Sequence, residues 1–255
     1  MKSSLLIAFL LALIAAPAAG KSNIPPTDAG QIVLLVNALE PELTHTHLGV
    51  TAFTNYENKI PNDWKLSATI EGRARELLTG TGYRVVVASV PDEQLQMIRS
   101  RRHVKMGWSS ARPSPDFAKW LEAEMSAQGA TVAIILGTYR RKFAFNVPVS
   151  YEGYGVMSMH GKTPKHAYLF ANVYASVFSG EPLGIAEGAS FNESDCRAIL
   201  KPNEIAVDSF ESLSADLLAP YRQTIEALAG QRLKQDLTAS GLIAGEVEKC
   251  TVPIS

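Results

Sequence analysis

Tyr168-Leu169-Phe170-Ala171-Asn172-Val173-Tyr174-Ala175-Ser176-Val177-Phe178 is the stretch on which the fold turns. Successive strand residues face opposite sides, so Leu169, Ala171, Val173, Ala175 and Val177 share one face and read as core. Tyr168, Phe170, Asn172, Tyr174, Ser176 and Phe178 share the other, expected to be half-exposed or covered by aromatics. Ser179-Gly180-Glu181-Pro182 then reads as a turn, and Leu183 to Ser190 as the returning strand of an antiparallel hairpin. Upstream the pattern differs. Gln31–Leu39, Tyr83–Val90 and Thr131–Gly137 are short, nearly continuous apolar runs, as in strands buried on both faces of a parallel sheet. Helical segments separate them. The first runs from Trp64 to Thr79, with Leu66, Ile70, Ala74, Leu77 and Leu78 as its stripe, an Asn62 or Asp63 cap, and Gly80 and Gly82 as its stop. The second starts at Pro91-Asp92-Glu93 and passes through Leu95 and Ile98; the third starts at Ser114-Pro115-Asp116 and closes at Gly129. Pro41 to Pro61 is polar and aromatic, with a short strand expected around Leu48–Phe53. Asp208 and Glu211 form a capping box before a long C-terminal helix that Pro220 kinks or restarts. The expected fold class is α/β: a mixed sheet, parallel first and antiparallel near the end, with helices packed on it. Residues 21–255 are expected to form one domain.

Residues 1–20 carry a different message. Lys2 precedes twelve apolar residues, Leu5 to Ala16, and Pro17-Ala18-Ala19-Gly20 supplies small residues for cleavage. That run is shorter than the ~20 residues a membrane span needs. The pattern is that of a secretory signal peptide, the alternative being an uncleaved anchor. The protein is therefore expected to be periplasmic or secreted, with no span in the mature chain. The 255 residues hold 24 Lys+Arg against 25 Asp+Glu, a net charge of −1, which argues against a nucleic-acid partner bound through bulk positive charge. With 46% hydrophobic and 19% charged residues the chain is globular in composition, not disordered.

The 2 Cys, Cys196 and Cys250, cannot build a disulfide scaffold or a four-thiolate zinc site. In an exported protein they are expected to pair, closing a loop of about 55 residues worth roughly 4 kcal/mol as an upper figure. The bridge would pin a C-terminal tail that otherwise frays. The alternative is a reactive thiol, although neither Cys has a His beside it and no C-x-x-C is present.

Chemistry-bearing residues are sparse. Arg140-Arg141-Lys142 follows the third apolar strand directly. Ligands of α/β domains bind at the carboxyl ends of parallel strands, so Arg140 and Arg141 are the candidate pair for a carboxylate or phosphate; a solvated strand end is the plainer reading. Arg99, Arg101, Arg102, His103 and Lys105 end the second helix, where basic residues also answer the helix dipole. If extended, Thr44-His45-Thr46-His47 would set two imidazoles on one side where they could share a metal, but two ligands do not make a site, and surface or hydrogen-bonding histidines are the plainer reading. His160 and His166 flank a turn. Tyr151-Glu152-Gly153-Tyr154-Gly155 reads as a bend. G-x-S-x-G, H-E-x-x-H and the P-loop are absent. No catalytic residue, metal or cofactor is expected.

The order of elements resembles a periplasmic α/β module of bacterial envelope proteins. It is similar to the N-terminal domain of the Tol–Pal translocation protein, the curli-secretion channel subunit and the lipoprotein activators of penicillin-binding proteins. The residues carrying the likeness are the apolar strand Ile32–Val36, the G-Y-R-V-V-V strand Gly82–Val87, Gly129-Ala130 before the V-A-I-I-L-G strand Val132–Gly137, the Ser179-Gly180-Glu181 turn and the C-terminal helix. The chain departs from these proteins in having no lipid-attachment Cys and no evident membrane hairpin. The resemblance implies a non-catalytic binding or assembly role with another envelope protein as partner, and transfers no functional residue. The alternative is a periplasmic hydrolase whose site is assembled from distant residues.

Overall fold

The computed structural model describes residues 30–106, 111–144, 147–159, 167–186, 197–200 and 213–246. The leader at 1–20, Cys196, Cys250, His160, His166 and the Asp208–Glu211 box lie outside them. The first strand, β1 (Ile32–Asn37), is apolar throughout and pairs in parallel with β4 (Arg84–Val87) on one side and β7 (Val132–Thr138) on the other. Between them run α1 (Leu66–Thr79), α2 (Asp92–Arg99) and α3 (Pro115–Gln128). The alternating strand is β10 (Ala167–Ser179). It pairs antiparallel with β7 through Val173–Ser179 and with β9 (Val147–Met159) through Ala167–Asn172. Outside β9 lie β2 (Leu43–Leu48), parallel to it, and β3 (Tyr56–Ile60), antiparallel to β2. The sheet order is β3-β2-β9-β10-β7-β1-β4. Also joined to it are β8 (Arg140–Ala144) against β9, and β11 (Gly184–Ile185) and β12 (Arg197–Leu200) against β10. A separate short pair, β5 (Val104–Met106) and β6 (Ala111–Pro113), links α2 to α3. The mixed α/β architecture is thus as expected.

Helices cover both faces. On one, α1 sets Leu66, Ile70, Ala74 and Leu78 against Val33 and Leu35 of β1 and Ile134 of β7. The C-terminal helix shares that face. It comprises α4 (Ala215–Leu218), a 3-10 turn at Ala219–Tyr221 set by Pro220, and α5 (Arg222–Ala239), so the proline restarts the helix. On the other face Phe117, Leu121 and Met125 of α3 pack on Leu34, Val36, Ala133, Ile135 and Phe178. Both faces of β10 are therefore buried, with Tyr168 half-exposed.

One closure is polar. β9 leaves β10 at Asn172 and β11 joins it only at Phe178, so an edge of β10 lies open between them. There the Ala175 backbone N–H donates to Asp236 Oδ2 at 3.0 Å, and Asp236 Oδ1 lies 3.2 Å from the Arg232 guanidinium. A helix side chain thus replaces the missing strand partner, because a buried N–H left unpaired would cost about 1–3 kcal/mol. Arg232 in turn lies over the Tyr139 ring, 5.5 Å from its centroid.

Two local expectations are corrected. The strand expected around Leu48–Phe53 lies earlier, as β2, and ends at Leu48: Thr44, His45 and Thr46 are buried in it, and the chain turns at 49–55. The N-cap of α1 is Lys65, in the left-handed region at φ 55 with no side-chain cap bond, while Asn62 accepts from Trp64 N at 3.0 Å and ties the entry loop to the Pro41 carbonyl. Among the described residues, no helix is long and apolar enough to cross a membrane.

Candidate functional site

From β1 the chain passes through β2 and β3 and then α1 to one neighbour, β4, and later reaches the other, β7, through α2 and α3. The two crossovers lie on opposite faces. The carboxyl ends of β1 and β7 are therefore a topological switch point, where open α/β sheets form a crevice. The chain fills part of it. Asn37 Nδ2 donates to Glu71 Oε2 at 2.9 Å and Ser67 Oγ at 3.1 Å on α1, and its Oδ1 accepts from Leu39 N. Arg99, at the end of α2, donates to the Ala38 and Leu39 carbonyls at 3.1 and 3.0 Å. Tyr154 caps the Glu40 carbonyl; burial, first of all, and the nearby Glu40 and Glu42 push its phenol pKa up, so it stays a donor.

Behind this plug α2 ends in a Schellman-type turn: Arg101 N bonds to the Ile98 carbonyl and Arg102 N to the Met97 carbonyl, both at 2.9 Å. The position that usually carries Gly is Arg101, at φ 60. Its guanidinium meets Glu152 Oε1 at 3.2 Å, and Arg140 Nε meets Glu152 Oε2 at 3.0 Å. Arg140 also reaches Glu57 at 3.4 Å and Ser150 Oγ at 3.2 Å. The candidate cations are thus placed as follows. Arg140 lies in a network with two carboxylates. Arg141, the next residue of β8, points to the opposite side and is itself engaged. Two buried rings, His103 and Tyr174, lie within the electrostatic reach of Arg101, nearly parallel at 4° with centroids 6.5 Å apart. Burial lowers the His103 pKa to about 4, helped by Arg101 and opposed by a hydrogen bond to the Met97 carbonyl, so the ring is neutral. Burial, chiefly, raises that of Tyr174.

A second cluster lies at the far side of the sheet. His45 Nε2 and His47 Nδ1 stand 2.8 and 2.7 Å from Ser158 Oγ on β9, because the parallel register sets His47 beside Ser158. Tyr56 stacks on His47 at 4.8 Å and meets His45 edge-on at 5.3 Å. Burial, then His47, lowers the His45 pKa to about 4. The Ser158 hydroxyl can donate to one ring and accept from the other. The distances suit a serine–histidine nucleophile, yet Ser158 has 0% exposure and an acyl group has no approach. Among the described residues no three His, Cys, Asp or Glu side chains converge as a metal set.

Beside His47 the chain from Gly49 to Tyr56 bounds an open cavity of about 410 Å³. Its loop is braced internally: Gly49 N donates to Asn55 Oδ1 at 2.8 Å, and Thr54 Oγ1 donates to the Thr51 carbonyl at 2.9 Å. Phe53 projects from it with 99% of its surface exposed, and Val50 with 73%. The sequence pattern, which places a strand around Leu48–Phe53, does not show this loop.

No protein-family profile matches the chain, and no curated protein matches it. Among solved structures, the hypothetical protein CT253 from Chlamydia trachomatis aligns with 84% of this chain and 98% of its own, at 9% identity and a TM-score of 0.34. That likeness is too low to carry a functional argument.

Proposed function

We propose that the protein is an exported, non-catalytic binding or assembly module of the bacterial cell envelope, and that the loop at 49–55 presents Phe53 to another envelope protein. The observation that carries this reading is the rigid display of a bare aromatic ring. A fully exposed Phe contributes little to folding, whereas burying it at an interface is worth about 1.5–3 kcal/mol. Internal bracing of the loop keeps the entropy cost of docking low. The leader-like residues 1–20 support export. The sealed state of Ser158 favours binding over hydrolysis.

Phe53→Ser with Val50→Ser is the test, in a pull-down from envelope extract against wild type. Specific capture of one envelope protein by wild type and loss of that capture in the variant, at unchanged melting temperature, is the expected result. Equal capture by both proteins removes the loop from the account. Covalent labelling of Ser158 by a serine-directed fluorophosphonate would favour the hydrolase instead.

A further inference from the structure

The sheet ends at β3, which pairs with β2 and with no other strand among the described residues. In an antiparallel pair, alternate residues of a strand turn their N–H and C=O toward the neighbour, and the residues between turn them away. Of Glu57, Asn58 and Lys59, at least one therefore offers both groups to the outside, and all three residues are exposed. Native edges are commonly guarded by free charges, a proline or a bulge. Tyr56–Ile60 holds no proline, and its register against β2 runs without a shift. Its two charges are matched inside the fold: Lys59 Nζ lies 2.6 Å from Glu40 Oε2, and Arg140 reaches Glu57 Oε1 at 3.4 Å.

Two open cavities border this edge. One, of about 410 Å³, is lined by His47, Val50, Phe53 and Tyr56. The other, of about 580 Å³, is lined by His45, Asn58 and Ile60, with Leu213 and Ser214 from the chain just before α4. Strand parity fixes where they lie. His45 and His47 of β2 stand opposite Asn58 and Tyr56 of β3, so these four side chains share one face, and Glu57 and Lys59 belong to the other. Both cavities are thus on one side of the sheet and follow one another along β3. A strand added beyond β3 would send every second side chain to that side, about 6.8 Å apart, which is the step from Tyr56 to Asn58. The first cavity carries Val50 and Phe53 and suits an apolar side chain; the second carries Asn58 and Ser214 and suits one that hydrogen-bonds.

We propose that a partner protein docks by laying an extended, uncharged segment along β3 as an added strand, with an apolar side chain beside Phe53 and a polar one two residues away beside Asn58. This deepens the binding-module reading of the Phe53 loop and rests on it. Main-chain hydrogen bonds fasten the segment, and the two cavities select its sequence. The test takes random linear dodecapeptides displayed on phage, selects them on the full protein, and resynthesises the binders with single N-methyl groups placed along the backbone. An edge takes hydrogen bonds from one side of a peptide only. Methylation is therefore expected to weaken binding about tenfold at alternate residues, the equivalent of one lost hydrogen bond, and to leave it unchanged at the residues between. With peptide at roughly ten times its Kd, amide exchange within residues 57–59 is expected to slow about tenfold. A library that yields no binder, a methylation scan without the two-residue alternation, or unchanged exchange in β3 overturns strand addition. The envelope pull-down with Phe53→Ser and Val50→Ser tests the loop alone and can succeed where this experiment fails, which separates the two.

Discussion

Arg101 shows how a single backbone angle separates two roles of one side chain. Its left-handed φ of 60 favours glycine, while its guanidinium pairs with Glu152 at 3.2 Å. A half-exposed pair of this kind is worth at most about 1 kcal/mol, similar to the backbone cost. Arg101→Gly should therefore leave stability within about 1 kcal/mol of wild type, and Arg101→Ala, which keeps the strain and loses the pair, should be the less stable variant. Urea unfolding of both checks this; a glycine variant less stable than the alanine one would contradict it. His103 makes a pH prediction. Its pKa falls from 6.5 to about 4 on folding, so between those values the unfolded chain binds more protons. Stability is complete above pH 6.5 and is lost as pH falls toward 4, by on the order of 3 kcal/mol. His45 acts with the same sign. Asp236 acts with the opposite sign: burial raises its pKa to about 7 against the pull of Arg232, so its contribution declines as pH rises from about 4 to 7. His103→Gln should flatten the acid limb of a stability–pH curve, whereas an unchanged limb would show that His103 is not buried neutral.

At the scale of elements, legibility follows the source of burial. β1, β7, α1 and α3 are buried by apolar side chains at regular spacing, and the sequence shows them within a residue or two. β2 is not of that kind. Thr44, His45 and Thr46 are buried as polar residues, with His45 held by Ser158 far along the chain. No local pattern announces such a strand. The crevice was half legible: the fold rule pointed to the end of β7 and so to Arg140. The roles of Arg101, His103 and Tyr174 depend on how α2 ends and on the β7–β10 register, which periodicity does not encode. Gly155 marks a close join between β9 and β2. At φ 152 its missing Cβ would stand 2.1 Å from the Thr44 carbonyl oxygen of β2. Gly155→Ala should push β2 off β9 and destabilise by about 2 kcal/mol or more, as overpacking against backbone does. Hydrogen exchange should report faster amides in β2 and β3 than in β1; uniform protection would contradict that.

The whole molecule joins a doubly covered parallel half to an antiparallel half that carries the braced loop. The parallel end is partly plugged by Asn37 and Arg99, and the loop bears the fully exposed ring. Export and docking through that ring form one account, and a single measurement reaches both: photo-cross-linking from position 53, with a benzophenone amino acid in place of Phe53, in intact cells. The account predicts one discrete adduct in the envelope fraction, whose chain from this protein begins between Ala19 and Ser22 and which disappears when Val50 is changed to Ser. Folded protein that gives no adduct, or that stays cytoplasmic and begins at Met1, would contradict it.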